Sequence, residues 1–262
     1  MTNYGWGLPI AASTYAGKID FGIWMIHAAM IAIFVLWGIF FTYLLIKYRK
    51  RPGVPAQRED HKNSSELKSL LPDLVVMLFE IGLIVFYALP GWSSIKMQMP
   101  DEKDSVVIHV VAEQFGWDVH YPGADGKFGR RKAELVHFNN PIGLDKTDPD
   151  AADDVVVGNE IHMPLGRKVL IKLTSKDVIH DFFVPEFRIK QDVMPGLEIP
   201  MWVEPNRLGH YELACAQLCG FGHSLMRGDV YVDSPEDYEK WLKSRAAATP
   251  APAKASNSAE DF

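Results

Sequence analysis

The sequence is short of cysteine, of positive charge and of repetition. Only two cysteines, Cys215 and Cys219, occur in 262 residues, too few for a disulfide framework. Acids outnumber bases 33 to 27, for a net charge of −6; this argues against nucleic acid as a partner and is compatible with a basic protein. There is no internal repeat and no Cys-x-x-Cys-His haem-attachment motif. Charge is missing from one long stretch, because no Asp, Glu, Lys or Arg lies between Asp20 and Lys47. A mean hydropathy of −0.04 suits a soluble protein only as an average; the apolar residues gather between Phe21 and Ser94.

The 26 residues 21–46 exceed the roughly 20 that cross a bilayer as a helix. Trp24 stands near one end and Tyr43 and Tyr48 near the other, as interfacial aromatics do. A cleaved secretory signal would be shorter and would follow a basic segment. A second run, 74–95, carries a single acid, Glu80, and is expected to be interrupted late by Pro90-Gly91-Trp92. Lys47, Arg49, Lys50, Arg51, Arg58, Lys62 and Lys68 lie between the runs, against Lys18 alone before them. The positive-inside rule then places the loop in the cytoplasm and both termini outside. This gives an external tail at 1–20 and a hairpin at 21–96, with spans at about 21–46 and 73–95 and a cytoplasmic loop at 47–72. Glu80 either relays protons or hydrogen-bonds a neighbouring helix; His27 reads as a packed or interfacial histidine.

Residues 97–245 read as an external domain. Short alternating segments at 107–111, 168–174, 199–203, 209–213 and 229–233 predict strands, and turn signals at Pro122-Gly123, Pro164-Leu165-Gly166 and Pro195-Gly196 separate them. This spacing indicates a β-sandwich or barrel. A helix is expected from Pro235 to about Ser244, with Ser234 as its N-cap. Residues 122–160 read as a long polar connection, with Asp145, Asp148, Asp150, Asp153 and Asp154 either solvated or forming a docking surface. The Ala- and Pro-rich tail, 246–262, is expected to be disordered.

Both cysteines fall in Cys215-Ala-Gln-Leu-Cys219-Gly-Phe-Gly-His223-Ser-Leu-Met226. Two thiolates, an imidazole and a thioether form a soft-ligand set suited to redox copper, and two cysteines supply enough thiolate to bridge two ions. One loop cannot surround a metal, so a further ligand is needed from elsewhere. His180 is the best donor, with Phe182 and Phe183 behind it to exclude water; the backbone carbonyl of Gln217 can complete the set. A Cys215–Cys219 disulfide or a zinc site would leave Met226 without a role.

These residues carry a resemblance to subunit II of the haem–copper cytochrome c oxidases. Residues 215–226 match the motif Cys-x-Glu/Gln-x-Cys-Gly-x-x-His-x-x-Met. The earlier motif is matched from Asp177 and His180 through Lys190, Asp192, Pro195 and Gly196. The resemblance implies a two-helix hairpin followed by a cupredoxin-like Greek-key β-sandwich, held in a bacterial plasma membrane with the sandwich outside. It implies a dinuclear copper centre, CuA, bound by His180, Cys215, Gln217, Cys219, His223 and Met226. Electrons would come from cytochrome c, or from a haem subunit of a respiratory complex, and pass to haem in subunit I, where oxygen is reduced to water, coupled to the proton gradient; subunit III is a further expected partner. Phe115 or Trp117, in Gln114-Phe115-Gly116-Trp117, would take up the electron where many relatives have Gln-Trp-x-Trp. Gln217 replaces a glutamate that binds magnesium at the subunit I interface in many relatives, which puts that ion in question. Glu66 is the possible match to the family's proton-uptake acid. Two other classes compete: a quinol oxidase subunit without copper, disfavoured by the intact ligand set, and a membrane-anchored metal-delivery module.

Overall fold

The computed structural model describes residues 7–53 and 70–248, in two units. Residues 18–53 with 70–98 form one; the other comprises residues 99–248 together with 7–17.

In the first unit, α1 (Ala16–Lys47) and α2 (Leu71–Met97) are each long and apolar enough to cross a membrane. Pro72 begins α2 in the first turn, where its missing N–H costs nothing. The helix continues through Pro90. Residues Ile84–Ala88 and Ser93–Met97 on either side of it adopt π-turns, and Leu89 N–H bonds to the Ile84 carbonyl five residues back. Such wider turns, with i→i+5 bonding, relieve the clash and missing donor that proline brings. The helices meet near one end. Phe21 packs on Tyr87 at 5.9 Å, and the Tyr87 hydroxyl donates to the Lys18 carbonyl. Gly22 is required there, because a Cβ would lie 2.6 Å from the Tyr87 ring.

The second unit is a cupredoxin-like β-sandwich. Its strands are β1 (Val106–Glu113), β2 (Gly116–Tyr121), β3 (Val155–Gly158), β4 (Glu160–Pro164), β5 (Val169–Ser175), β6 (His180–Val184), β7 (Ile189–Val193), β8 (Ile199–Val203), β9 (Gly209–Cys215) and β10 (Arg227–Asp233). One sheet runs β3-β2-β1-β5-β8 and the other β4-β10-β9-β6-β7. Ile108, Val110 and Ala112 of β1, Val119 of β2 and Ile171 and Leu173 of β5 are fully buried, following the two-residue period of a strand with one face inward. Helix α3 (Pro235–Ala248) follows, with Ser234 Oγ accepting the Asp237 N–H at 3.1 Å as an N-cap.

Two sequence expectations need correction. The N-terminal segment is not a free tail, since residues 9–15 lie on the sandwich as a strap. Ala12 N–H bonds to Glu186 O and Thr14 N–H to Glu204 O, Ser13 Oγ donates to Phe187 O at 2.8 Å, and Tyr15 stacks edge-on to Trp202 at 5.4 Å. The polar connection is not a solvated loop either. It contains β3 and the start of β4, and Ile142, Leu144 and Ala151 pack on Val111. Four of the five aspartates at 145–154 are committed inside the domain. Asp145 accepts from Lys132 and Thr147, Asp148 from Arg130, Asp153 from Asp125 N–H, and Asp154 from His120 and Gly129 N–H. The Lys132 ammonium and the Thr147 hydroxyl hold the Asp145 carboxyl well below the usual carboxylate range. Partners so distant in sequence explain why the acids read as solvated.

Candidate metal centre

Two strands of one sheet bring the centre together. His180 opens β6 and Cys215 closes β9, and Phe182 pairs with Cys215 across them. The chain then turns through 216–226 and returns into β10, with Cys215 N–H bonded to Met226 O at 3.1 Å and Ala216 N–H to Asp181 O at 3.2 Å. A short 3-10 turn, His223–Leu225, swings His223 and Met226 back toward the cysteines. Gly220 has φ +143°, and a Cβ there would strike the Gln114 side chain at 2.6 Å; glycine alone fits this bend.

The expected ligand atoms converge. Cys215 Sγ and Cys219 Sγ are 3.9 Å apart, both thiols free and buried. Cys219 Sγ lies 3.6 Å from His223 Nδ1 and 3.7 Å from Met226 Sδ. The Cys215 thiol donates to the Gln217 carbonyl at 3.2 Å. His180 joins the cysteines, with one ligand atom from each of the three within 4.8 Å of the others. The fully buried His180 ring donates Nε2–H to Asp177 at 2.8 Å and leaves Nδ1 without a partner, the arrangement of an imidazole ready to give a lone pair to a metal. The donor set fits copper: two thiols, an imidazole nitrogen and a thioether gathered at these distances are the soft ligands that suit redox copper. Burial, then the neighbouring Cys215, pushes the Cys219 thiol up to about 11, so a bound metal must displace its proton.

Asp177 opens the earlier sequence motif, three residues before His180, but the sequence assigned it no role. It accepts from His180 Nε2, from Gln114 N–H at 2.7 Å and from Val178 N–H at 2.7 Å. Burial opposes its ionisation, but these bonds outweigh it and hold the carboxyl below its ordinary value. Gln114 also donates through Nε2 to the Cys219 carbonyl at 2.6 Å, so one residue ties the two halves of the centre. The aromatic candidates separate. Trp117 is 1% exposed and sits behind His180, ring centroids 6.2 Å apart. Phe115 is 40% exposed and its ring lies against Gly222, where a Cβ would come within 2.5 Å of it. Leu218, Phe221 and Leu225 of the ligand loop are exposed around it. Glu66 lies outside the described residues.

Two helices long and apolar enough to cross a membrane precede a β-sandwich that gathers soft donors of the kind that suit a metal. Residues 106–232 match the family model of the cytochrome c oxidase subunit II periplasmic domain. The probable cytochrome c oxidase subunit 2 of Streptomyces avermitilis is 31% identical over 259 residues, 92% of this chain and 79% of that one. The alternative cytochrome c oxidase subunit 2 of Bradyrhizobium diazoefficiens is 40% identical over 143 residues, 54% of this chain and 52% of its own length. The crystal structure of the periplasmic domain of subunit II of cytochrome oxidase of Bradyrhizobium japonicum is 23% identical, with a TM-score of 0.43, over 58% of this chain and 100% of that one. The chain belongs to the cytochrome c oxidase subunit II family.

Proposed function

We propose that His180, Cys215, the Gln217 carbonyl, Cys219, His223 and Met226 hold a dinuclear copper centre, CuA, and that the chain takes electrons from cytochrome c, or from a haem subunit of a partner complex, for delivery to haem in subunit I. The observation that carries this reading is the sulfur pair, free, buried and 3.9 Å apart, facing an unpartnered imidazole nitrogen. Bound copper would supply a one-electron carrier; this chain's residues orient and shield it. Asp177 fixes the His180 tautomer, and Phe182, 0% exposed, keeps water from the inner side. A low-dielectric shell and fixed ligands lower the reorganisation that each transfer requires. Phe115 is the proposed electron-uptake residue, because it alone of the two aromatics reaches both the surface and the ligand loop. Trp117 backs His180 from the interior.

The strap supports a two-span topology with the sandwich outside, since the segments before α1 and after α2 belong to one folded unit. Lys47, Arg49, Lys50 and Arg51 at the opposite turn favour the cytoplasmic side of a bacterial plasma membrane. Subunit III is a further proposed partner. Gln217 offers copper its carbonyl but offers magnesium only a neutral amide.

The test is metal analysis with electron paramagnetic resonance on the purified full-length chain, strap included. Two coppers sharing one unpaired electron are expected. One localised copper, or zinc alone, would overturn the proposal.

A further inference from the structure

Arg131 is a cation that the acids of its own domain leave poorly matched. Its side chain is 26% exposed, and its one ion contact among the described residues, with Glu198 Oε2, is long at 3.7 Å. The guanidinium has five N–H donors and makes no hydrogen bond within the described residues. Glu198 is itself shared, because its other oxygen lies 3.7 Å from Lys172 Nζ. The neighbouring lysines are matched closely: Lys132 meets Asp145 at 2.7 Å, and Lys176 meets Glu113 and Asp118 at 2.7 Å each. Burial works against the charge on Arg131, and Glu198 offsets this only in part. Next to burial, it is this charge that presses the nearby His109 imidazole down. A largely buried ion without hydrogen bonds is costly.

Arg131 lines a cavity of about 350 Å³, a volume in the range of small-molecule sites. Its floor is Val111 of β1 and Thr174 of β5, which are partners across the sheet. The Thr174 hydroxyl likewise has no hydrogen-bond partner among the described residues. The connection forms one wall, with Pro141, and the turn between β7 and β8 forms the other, with Leu197 and Glu198. Both walls are pinned. On either side of Arg131, Lys132 N–H bonds to Gly143 O and Asp145 N–H to Arg130 O, each at 2.8 Å, and Pro195 bridges to Ser175. A guanidinium and a hydroxyl, both donors without acceptors, thus border one preformed space with apolar sides. Their missing complement is an acceptor that carries negative charge. We propose that this cavity binds a small organic anion, its carboxylate or phosphate head on Arg131 and Thr174 and its apolar body between Pro141 and Leu197. Glu198 competes with the head for Arg131 and has Lys172 to turn to. The inference involves none of the proposed copper ligands and stands apart from the copper proposal.

The test is titration calorimetry on the purified full-length chain at constant ionic strength, with benzoate, phenyl phosphate and, as their neutral counterpart, benzamide. Saturable binding of benzoate or phenyl phosphate is expected, and the tighter of the two identifies the head group. Arg131→Gln is expected to weaken that binding by about tenfold or more, the scale of a hydrogen bond to a charged group. Thr174→Val is expected to weaken it several-fold, and Glu198→Gln to tighten it several-fold by removing the competing carboxylate. Thermal unfolding of each variant without ligand reports that it folds; should Arg131→Gln fail to fold, the opposite signs at Thr174 and Glu198 decide. Binding of neither anion would overturn the inference. So would affinity unchanged in Arg131→Gln, or benzamide held as tightly as benzoate, since the cavity would then be an apolar crevice without an anion site.

Discussion

Asp177 touches no expected metal ligand except His180, yet it decides which imidazole nitrogen is available, because it holds Nε2–H at 2.8 Å. Partners of this kind are worth about 10- to 100-fold in metal affinity. Asp177→Asn is therefore expected to weaken copper retention by that factor in a chelator competition while the domain stays folded. Gly222→Ala tests the surface side, since its Cβ would meet Phe115 at 2.5 Å and must displace the ring. Donor oxidation should slow several-fold with an unaltered copper spectrum; an unchanged rate would remove Phe115 from the electron path. Away from the centre, His109 stacks on Phe128 at 4.0 Å, and neither ring nitrogen has a partner. Burial, then Arg131, His120 and Lys172, pushes its imidazole down to about 3. The fold keeps it neutral, whereas the unfolded chain takes up a proton near pH 6.5. Stability is thus complete above about 6.5 and is lost progressively as pH falls toward 3. His109→Leu should flatten the acid limb of a Tm-versus-pH curve, and a limb as steep as wild type would show that other groups set it.

Among the elements, the strands legible in the sequence were those with clean alternation and turn residues on both sides, β5 above all, with Val169, Ile171 and Leu173 at 0% exposure. Strand β2 was hidden because Gly116-Trp117-Asp118-Val119-His120-Tyr121 mixes polar and aromatic side chains, and both of its faces are buried: one by the sandwich core, the other by the connection that follows. Strands β3 and β4 were hidden by the acids around them, whose partners His120 and Lys132 no local pattern reveals. The candidate metal ligands were legible because one loop carries most of them at short spacing. Asp177 and Gln114 were not, because their roles depend on contacts such as Gln114 to Cys219, 105 residues apart. The committed acids lead to a measurable outcome. Asp145→Asn should lower the Tm through loss of its Lys132 and Thr147 bonds, while the salt dependence of donor oxidation stays as in wild type. A changed salt dependence would return the connection to the docking surface.

For the molecule as a whole, the strap is as much a part of the sandwich as any strand. Tyr15 is 6% exposed and packs on Trp202, so Tyr15→Ala is expected to cost about 3 kcal/mol, read from denaturant unfolding of the external domain with its strap. A loss below about 0.5 kcal/mol, the scale of a surface substitution, would mean that the strap merely rests there. The strap also sets an order of events in biosynthesis. Ser13 bonds to Phe187, 174 residues later, so the strap must wait for a distant part of the chain before it finds its place. Between the two lie both apolar helices, and the proposed two-span topology requires the strap and the sandwich to reach the same face of the bilayer. Closure of the domain is in this sense a proofreading step for insertion: a chain threaded the wrong way cannot complete its own fold.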